Sequence, residues 1–282
     1  MVSPRVRLVA LDIDGTLLRS DRTLSPRTRD AVARARADGV RVVLVTGRRH
    51  PSARRVADEL GDALPLIVHN GALVVEDGRI IRCRPLGRDA AARAVQAGRA
   101  AGAEPIVHCG SRGEGWLLVD ARARAKGLVA YYLERAQGQV RQVADVIEAL
   151  ALEEPIQVMF GGPLAEIEPL RPALEAVLEG EARLERTVYP ATGFALLDVL
   201  HPAVGKAEAL AFLQGRWGIT VEETLAIGDN WNDRLMLESA GRGLLMGNAP
   251  GELLEVGLPV LPTNDEDGVA HALEAHVLDA RR

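Results

Sequence analysis

The chain opens on short apolar runs separated by amphipathic stretches. Val6 to Leu11 is a mostly apolar run, the pattern of a parallel strand buried on both faces. Ser25-Pro26 reads as an N-cap followed by proline at the first helical position, and Gly39 closes that helix. Val40 to Val45 is a second buried strand, helical residues follow Pro51, and Leu64 to Val68 gives a third strand. This strand–helix–strand rhythm predicts right-handed crossovers and a doubly wound parallel α/β sheet. Leu73 to Ile81, with Asp77-Gly78 in its middle, predicts a hairpin.

Beyond Pro85 the rhythm changes. A helix over Asp89 to Ala101 precedes strands at Pro105 to Cys109 and Trp116 to Val119. Helices follow near Leu128 to Ala136 and Ala144 to Leu150. A strand at Ile156 to Phe160, a helix from Leu164 to Leu178 and a strand around Ala182 to Val188 complete the segment. It reads as an inserted α+β domain, an open sheet with helices on one face. From Phe194 the parallel rhythm returns: a strand, helix Lys206 to Trp217, strand Thr224 to Ile227, helix Asp233 to Ser239, strand Gly243 to Met246, and a last helix Gly268 to Val277. The expected core is therefore 1–84 plus 190–282, with 85–189 inserted.

Composition narrows the function classes. At 48% hydrophobic and 26% charged, the 282 residues are ordinary for a globular protein, and with only 3% aromatics the core must rest on Leu, Val, Ile and Ala. The net charge is -5 with both signs interspersed, and no Lys or Arg run is long enough for nucleic acid or an anionic membrane. No stretch approaches the roughly 18 apolar residues of a membrane span, and the N-terminal apolar run is too short for a signal peptide. Cys83 and Cys109 lack CxxC spacing and suggest a reducing compartment, so the expectation is a cytoplasmic protein. Of 34 basic residues only Lys126 and Lys206 are lysine. Lys126 reads as a solvated helix-face residue; Lys206 starts a helix and adds a single positive charge there.

Three strand ends carry candidate chemistry. The first strand runs into Asp12-Ile13-Asp14-Gly15-Thr16. Residues two apart in an extended chain point to one side, so both carboxylates can face one site, and Gly15 lets the backbone turn away. Alone, such a segment equally reads as a turn in which Asp14 caps the next segment. The second strand ends in Thr46-Gly47-Arg48, whose hydroxyl and backbone N–H suit a phosphate oxygen, although a helix N-cap by Thr46 is the commoner explanation of that tripeptide. A later strand ends in Gly228-Asp229-Asn230-Trp231-Asn232-Asp233, which crowds acidic and amide groups into a short loop. The carboxyl ends of strands in open α/β sheets form the crevice that binds ligands. Together these residues supply hard-cation ligands (Asp12, Asp229), a second carboxylate (Asp14), phosphate donors (Thr46, Gly47, Asn232) and the Lys206 cation. Oxygen ligands with open positions favour Mg²⁺, and positioning plus charge neutralisation suits phosphoryl transfer. The residues themselves do not choose between Asp12 and Asp14 as nucleophile.

In order along the chain, DIDGTLL, VTGR, a lysine at a helix start and GDNWND resemble the four motifs of the haloacid dehalogenase (HAD) superfamily. Asn70-Gly71-Ala72 and the tail GLLMGNAPGELLEVG…PTNDEDGVAHAL resemble its Cof-type subgroup, which carries a large α/β (type IIB) cap between motifs two and three. The resemblance spans the core and matches the cap in placement and size. It implies that Asp12 is the nucleophile and a Mg²⁺ ligand, and that Asp14 is the general acid and base whose backbone carbonyl also binds the metal. It further implies that Asp229 is a metal ligand, that Asp233 supports the metal's water shell, and that Thr46, Gly47, Lys206, Asn232 and the Ile13 backbone N–H hold phosphoryl oxygens. Gly205-Lys206-Ala207 departs from the common Ser-Lys-Gly, with a small expected effect on that loop. An Asp two residues after the nucleophile indicates fast hydrolysis of an aspartyl-phosphate, or transfer to a hydroxyl.

The resulting expectation is a Mg²⁺-dependent phosphatase acting on a phosphorylated small metabolite, a sugar phosphate or similar, with the cap selecting the substrate. A phosphomutase or phosphotransferase using the same nucleophile, and a non-catalytic protein keeping the fold, are the alternatives. Other residues keep plainer readings. Trp231 packs in preference to stacking on substrate, and His69 satisfies local hydrogen bonds in preference to contacting substrate. Trp116, Tyr131 and Tyr132 pack in the core of the cap in preference to lining a specificity pocket. Arg48 and Arg49 either approach the entrance or sit solvated on a helix. His50, His108, His201, His271 and His276 show no ligand spacing.

Overall fold

The computed structural model describes residues 4–61, 64–123, 127–136 and 138–278. Lys126 lies outside them. In chain order the strands are β1 (Leu8–Leu11), β2 (Arg41–Val45), β3 (Leu66–Val68), β4 (Leu73–Glu76), β5 (Arg79–Cys83), β6 (Pro105–Cys109) and β7 (Trp116–Asp120). They continue with β8 (Val140–Val143), β9 (Pro155–Pro163), β10 (Arg183–Tyr189), β11 (Phe194–Leu200), β12 (Thr224–Gly228) and β13 (Arg242–Leu245). The chain divides into two compact units, Met1–Ile81 with Gly205–Arg282, and Arg82–Val204.

In the first unit a seven-stranded sheet runs β13-β12-β1-β2-β3-β4-β5. The pairings from β13 through β3 are parallel, and β4 turns back antiparallel on β3. All four β1 residues are buried, as an apolar run without alternation requires when both faces are covered. On one face Leu8, Ala10, Val43, Val45 and Ile67 pack with Ala209, Leu210 and Leu213 of helix Lys206–Trp217 and with Met236 and Leu237 of helix Arg234–Glu238. Helix Pro26–Ala37 lies against β2 and against helix Gly268–Leu273. Its first turn is held by Ser25, whose Oγ accepts from the Thr28 N–H at 3.0 Å. Asp77 and Gly78 take φ of 51° and 72°, the paired positive values a tight two-residue β-turn demands.

The second unit is built on a six-stranded sheet, β10-β11-β9-β6-β7-β8, antiparallel except for the β7/β8 pair. Three expectations change here. The strand starting at Phe194 does not return to the parallel core: β11 pairs antiparallel with β10 from Tyr189↔Phe194 to Arg183↔Leu200. Gly193, at φ 61°, closes the local turn that makes this hairpin, and an apolar run such as FALLDVL suits either sheet. The inserted unit therefore extends to Val204 rather than ending at 189. Helices also cover both faces of this sheet rather than one. Helices Arg88–Ala100 and Leu170–Leu178 pack over Val107, Leu118, Val158 and Phe160, whereas Val129 and Ala136 cover Ile106, Leu117 and Met159 on the other side. Finally, the helix expected over Leu164 to Leu178 is two, Leu164–Ile167 and Leu170–Leu178, because Pro169 between them has no N–H to continue the ladder.

Among the described residues no helix is long and apolar enough to cross a membrane.

Candidate active site

Strand order assembles the site. β1, β2 and β12 are neighbours and parallel, with Leu11 in register with Leu44 on one side and Ile227 on the other. Asp12, Thr46 and Asp229 each follow the last residues of one of these strands, so all three emerge from the carboxyl edge of the sheet. Asp12 continues the ladder by one bond, its N–H donating to the Ile227 carbonyl at 3.0 Å.

Lys206, the first residue of its helix, is 3% exposed and sits between two carboxylates. Its Nζ donates to Asp12 Oδ1 at 2.7 Å and to Asp233 Oδ1 at 2.6 Å. The other Asp233 oxygen accepts from the backbone N–H groups of Asp229 and Asn230, at 3.1 and 3.0 Å. Asp233 thus ties the loop after β12 to the lysine. This turn, Trp231–Asp233, is closed by a reciprocal cap between Asn230 and Asp233. Thr16 Oγ1 donates to Asp229 Oδ1 at 3.0 Å and helps fix that carboxylate.

Carboxylate oxygens of Asp12, Asp229 and Asp233 all lie within 4.8 Å of one another, and all three residues are buried. Burial pushes Asp12 up to about 7 despite the opposing Lys206 charge. Asp229 is held well above the usual carboxylate range by burial and then by its Asp12 and Asp233 neighbours. Burial alone would lower Lys206, but Asp12 and Asp233 outweigh it and raise the ammonium. Asp12 and Asp233 share one buried cation with Asp229 close beside them, so three carboxylates crowd around a single positive charge. A hard divalent cation with oxygen ligands would offset the carboxylate charge, and the donor set fits Mg²⁺.

Asp14 behaves differently from Asp12. Its side chain is 41% exposed and forms a bidentate pair with Arg48, both contacts at 2.6 Å. Arg48, read from sequence as near an entrance or solvated, is therefore the direct partner of Asp14. The sequence placed Arg48 in the VTGR motif but gave no sign of its partner, because that partner is 34 residues away. Thr46 Oγ1 accepts from the Arg48 N–H at 3.1 Å, which shapes the turn after β2. Asn232 donates from Nδ2 to Asn70 Oδ1 at 2.9 Å, and the Ile13 side chain is fully buried. Two further residues escaped the sequence reading. Asn248 donates to the Gly15 carbonyl at 2.8 Å, and Asn264 donates to the Leu18 carbonyl at 2.9 Å. Both belong to the C-terminal tail, and together they pin the loop after Asp12. Their only sequence signal was the tail pattern itself.

Gly15 has φ 81°, and a Cβ there would overlap the Asp229 carboxylate. Gly15→Ala is expected to cost at least about 1 kcal/mol from backbone conformation alone. It should also displace Asp229 and so disturb the carboxylate cluster whose donor set fits Mg²⁺. Urea unfolding with and without Mg²⁺ checks both effects; an unchanged midpoint and unchanged Mg²⁺ response would contradict this packing.

The fold and these strand ends match a known family. The model for haloacid dehalogenase-like hydrolases matches residues 9–273, and the chain belongs to that family, in its Cof-type branch. It is similar to Phosphatase YwpJ of Bacillus subtilis (strain 168), at 28% identity over 97% of this chain and 100% of YwpJ. The 5-amino-6-(5-phospho-D-ribitylamino)uracil phosphatase YwtE of the same strain is 25% identical over 95% of this chain and 97% of its own. Among solved structures, the HAD-superfamily phosphatase BT1666 from Bacteroides thetaiotaomicron aligns with TM-score 0.78 and 26% identity, over 96% of this chain and 95% of that one. Like these relatives, the chain is a phosphatase of the HAD family.

Proposed function

We propose that the chain is a Mg²⁺-dependent phosphomonoesterase that hydrolyses a phosphorylated small metabolite, a sugar phosphate or similar, through a phosphoryl group carried on Asp12. The observation that carries this reading is the Asp12 carboxylate, buried against Lys206 at 2.7 Å and beside Asp229 and Asp233 at the carboxyl edge of the sheet. A nucleophile in that setting is held in one orientation, which converts a bimolecular attack into an oriented one.

In the first half-reaction an Asp12 oxygen forms a bond to phosphorus as the bond from phosphorus to the substrate oxygen breaks. Asp14 gives its proton to the departing alkoxide, releasing an alcohol. In the second, Asp14 takes a proton from water while the water oxygen attacks phosphorus. The bond to Asp12 then breaks, inorganic phosphate leaves, and the carboxylate is restored. The pair with Arg48 occupies both Asp14 oxygens, so proton delivery requires that pair to open along the path. Lys206, Thr46, Gly47, Asn232 and the Ile13 backbone N–H are assigned to the phosphoryl oxygens, where fixed donors stabilise charge without reorganising. Asp12, Asp229 and the Asp14 backbone carbonyl would hold Mg²⁺, with Asp233 supporting its water shell, and the ion would supply charge neutralisation for the phosphoryl group. The Arg82–Val204 unit is assigned the selection of substrate. Cys83 and Cys109 are both free thiols, which supports a reducing, cytoplasmic setting.

The test is phosphate release from a panel of phosphorylated metabolites. Chelator should abolish turnover and added Mg²⁺ should restore it, and Mg²⁺ at 100 times its Kd should add about 2.7 kcal/mol of stability. Turnover that persists undiminished in chelator would end the metal assignment.

A further inference from the structure

The turn between β3 and β4 is strained in a way the sheet does not require. His69, Asn70 and Gly71 take φ of 51°, 53° and 104° in succession, and two of these residues are not glycine. Left-handed conformations in non-glycine residues persist only where the surroundings over-determine them, and they concentrate at functional sites. His69 and Asn70 are 0% and 1% exposed, so the strain is held inside the protein.

The candidate site surrounds this turn. The His69 N–H donates to the Arg48 carbonyl at 3.0 Å and the Asn70 N–H to the Thr46 carbonyl at 3.1 Å, binding the turn along the whole Thr46-Gly47-Arg48 segment. A Cβ on Gly47 would stand 3.1 Å from Asn70 Oδ1, so the Asn70 carboxamide lies directly against the Gly47 backbone. The same Oδ1 accepts from Asn232 Nδ2 at 2.9 Å. A Cβ on Gly71 would overlap the carbonyl of Gly205, the residue before Lys206. One three-residue turn thus touches the segment after β2, the loop after β12 and the start of the lysine helix. Among the described residues Asn232 Oδ1 is buried without a hydrogen-bond partner, so the bond to Asn70 is what orients its carboxamide.

We propose that Asn70 is a positioning residue for phosphoryl binding: its carboxamide locks Asn232 beside the Thr46-Gly47 turn, joining two loops into one wall of donors. This rests on the phosphatase reading above, in which Asn232 and Gly47 hold phosphoryl oxygens. Asparagine suits the position twice over. It tolerates a left-handed backbone better than other non-glycine residues, and it supplies an acceptor for Asn232. A turn needed only for its backbone would be served as well by glycine.

That difference defines the experiment. Asn70→Gly keeps the backbone conformation and deletes the carboxamide. Hydrolysis of p-nitrophenyl phosphate with Mg²⁺, and inhibition by inorganic phosphate, are measured for wild type, Asn70→Gly, Asn232→Ala, the double variant and Asp12→Asn. KM for the ester and the inhibition constant for phosphate are expected to rise about tenfold in Asn70→Gly, as for loss of one hydrogen bond to a charged group. The double variant should be no worse than Asn232→Ala, because Asn70 acts through Asn232. A merely structural role would instead multiply the two losses. Wild-type constants in Asn70→Gly, or independent losses in the double variant, would overturn the proposal while an inactive Asp12→Asn leaves the phosphatase reading standing. Asn232→Ala leaves the strained turn intact and keeps the test decisive if Asn70→Gly does not fold: an unchanged phosphate inhibition constant there also overturns it. A wild-type protein without turnover, or an Asp12→Asn variant with full turnover, defeats the parent reading and this one with it.

Discussion

Asp12→Asn is expected to abolish phosphate release, lowering turnover by at least about three orders of magnitude, the scale seen when a covalent nucleophile is removed. The substitution nearly preserves shape and leaves an amide oxygen that can still accept from Lys206. It removes the carboxylate oxygen proposed to form the bond to phosphorus. Folding should survive, because the replaced carboxylate is one that burial already pushes up to about 7. Its loss relieves part of the repulsion with Asp229 and Asp233. The measurement is phosphate release beside a thermal melt, with intact mass of acid-quenched wild type read for an added phosphoryl group. Turnover retained in a folded Asn variant would remove Asp12 from the chemistry.

The second large effect falls on stability. Lys206→Ala is expected to destabilise the metal-free protein by about 3–5 kcal/mol, the cost of leaving buried charges without their partner. The ammonium is the cation shared by Asp12 and Asp233, and the side chains of all three are at most 7% exposed. Arginine is a poor substitute: its planar fork favours one carboxylate face-on, whereas a compact ammonium with three donors can bridge two. Added Mg²⁺ should recover part of the loss, since it offsets the same excess charge. Urea unfolding with and without Mg²⁺ checks both halves. A midpoint equal to wild type would mean that the lysine does not balance the cluster, and the electrostatic account of the site would fail.

Local chemistry was legible wherever a few neighbouring residues decide the outcome. The Ser25 cap, the Asp77-Gly78 turn and the uniformly apolar β1 are of that kind, and the structure agrees with each. Errors arose where a segment's partner, not its own pattern, sets its place. FALLDVL is apolar enough for the parallel sheet, yet the turn at Gly193 folds β11 back on β10. β8 carries no strand signal of its own: VRQV exposes Arg141 and Gln142 at the sheet's edge, so it lacks the apolar run of an interior strand. The second covered face of that sheet was hidden for the same reason, since alternation shows that a face is buried but not what buries it.

By itself the sequence determined which groups stand at which strand ends: a carboxylate pair after β1, a hydroxyl and glycine after β2, and a crowded acidic loop after β12. Only the tertiary structure decided their company. Asp12 and Lys206 are 194 positions apart and meet because the helix that Lys206 starts packs on the sheet face beside β1. Asp14 could have joined Asp12 but pairs with Arg48 instead, and Asn70 meets Asn232 only through the fold. The physical reason is common to the buried contacts among them. Hydrogen bonds and charges acquire their strength from being desolvated together, and that shared burial exists only once the sheet and its helices have closed around the site.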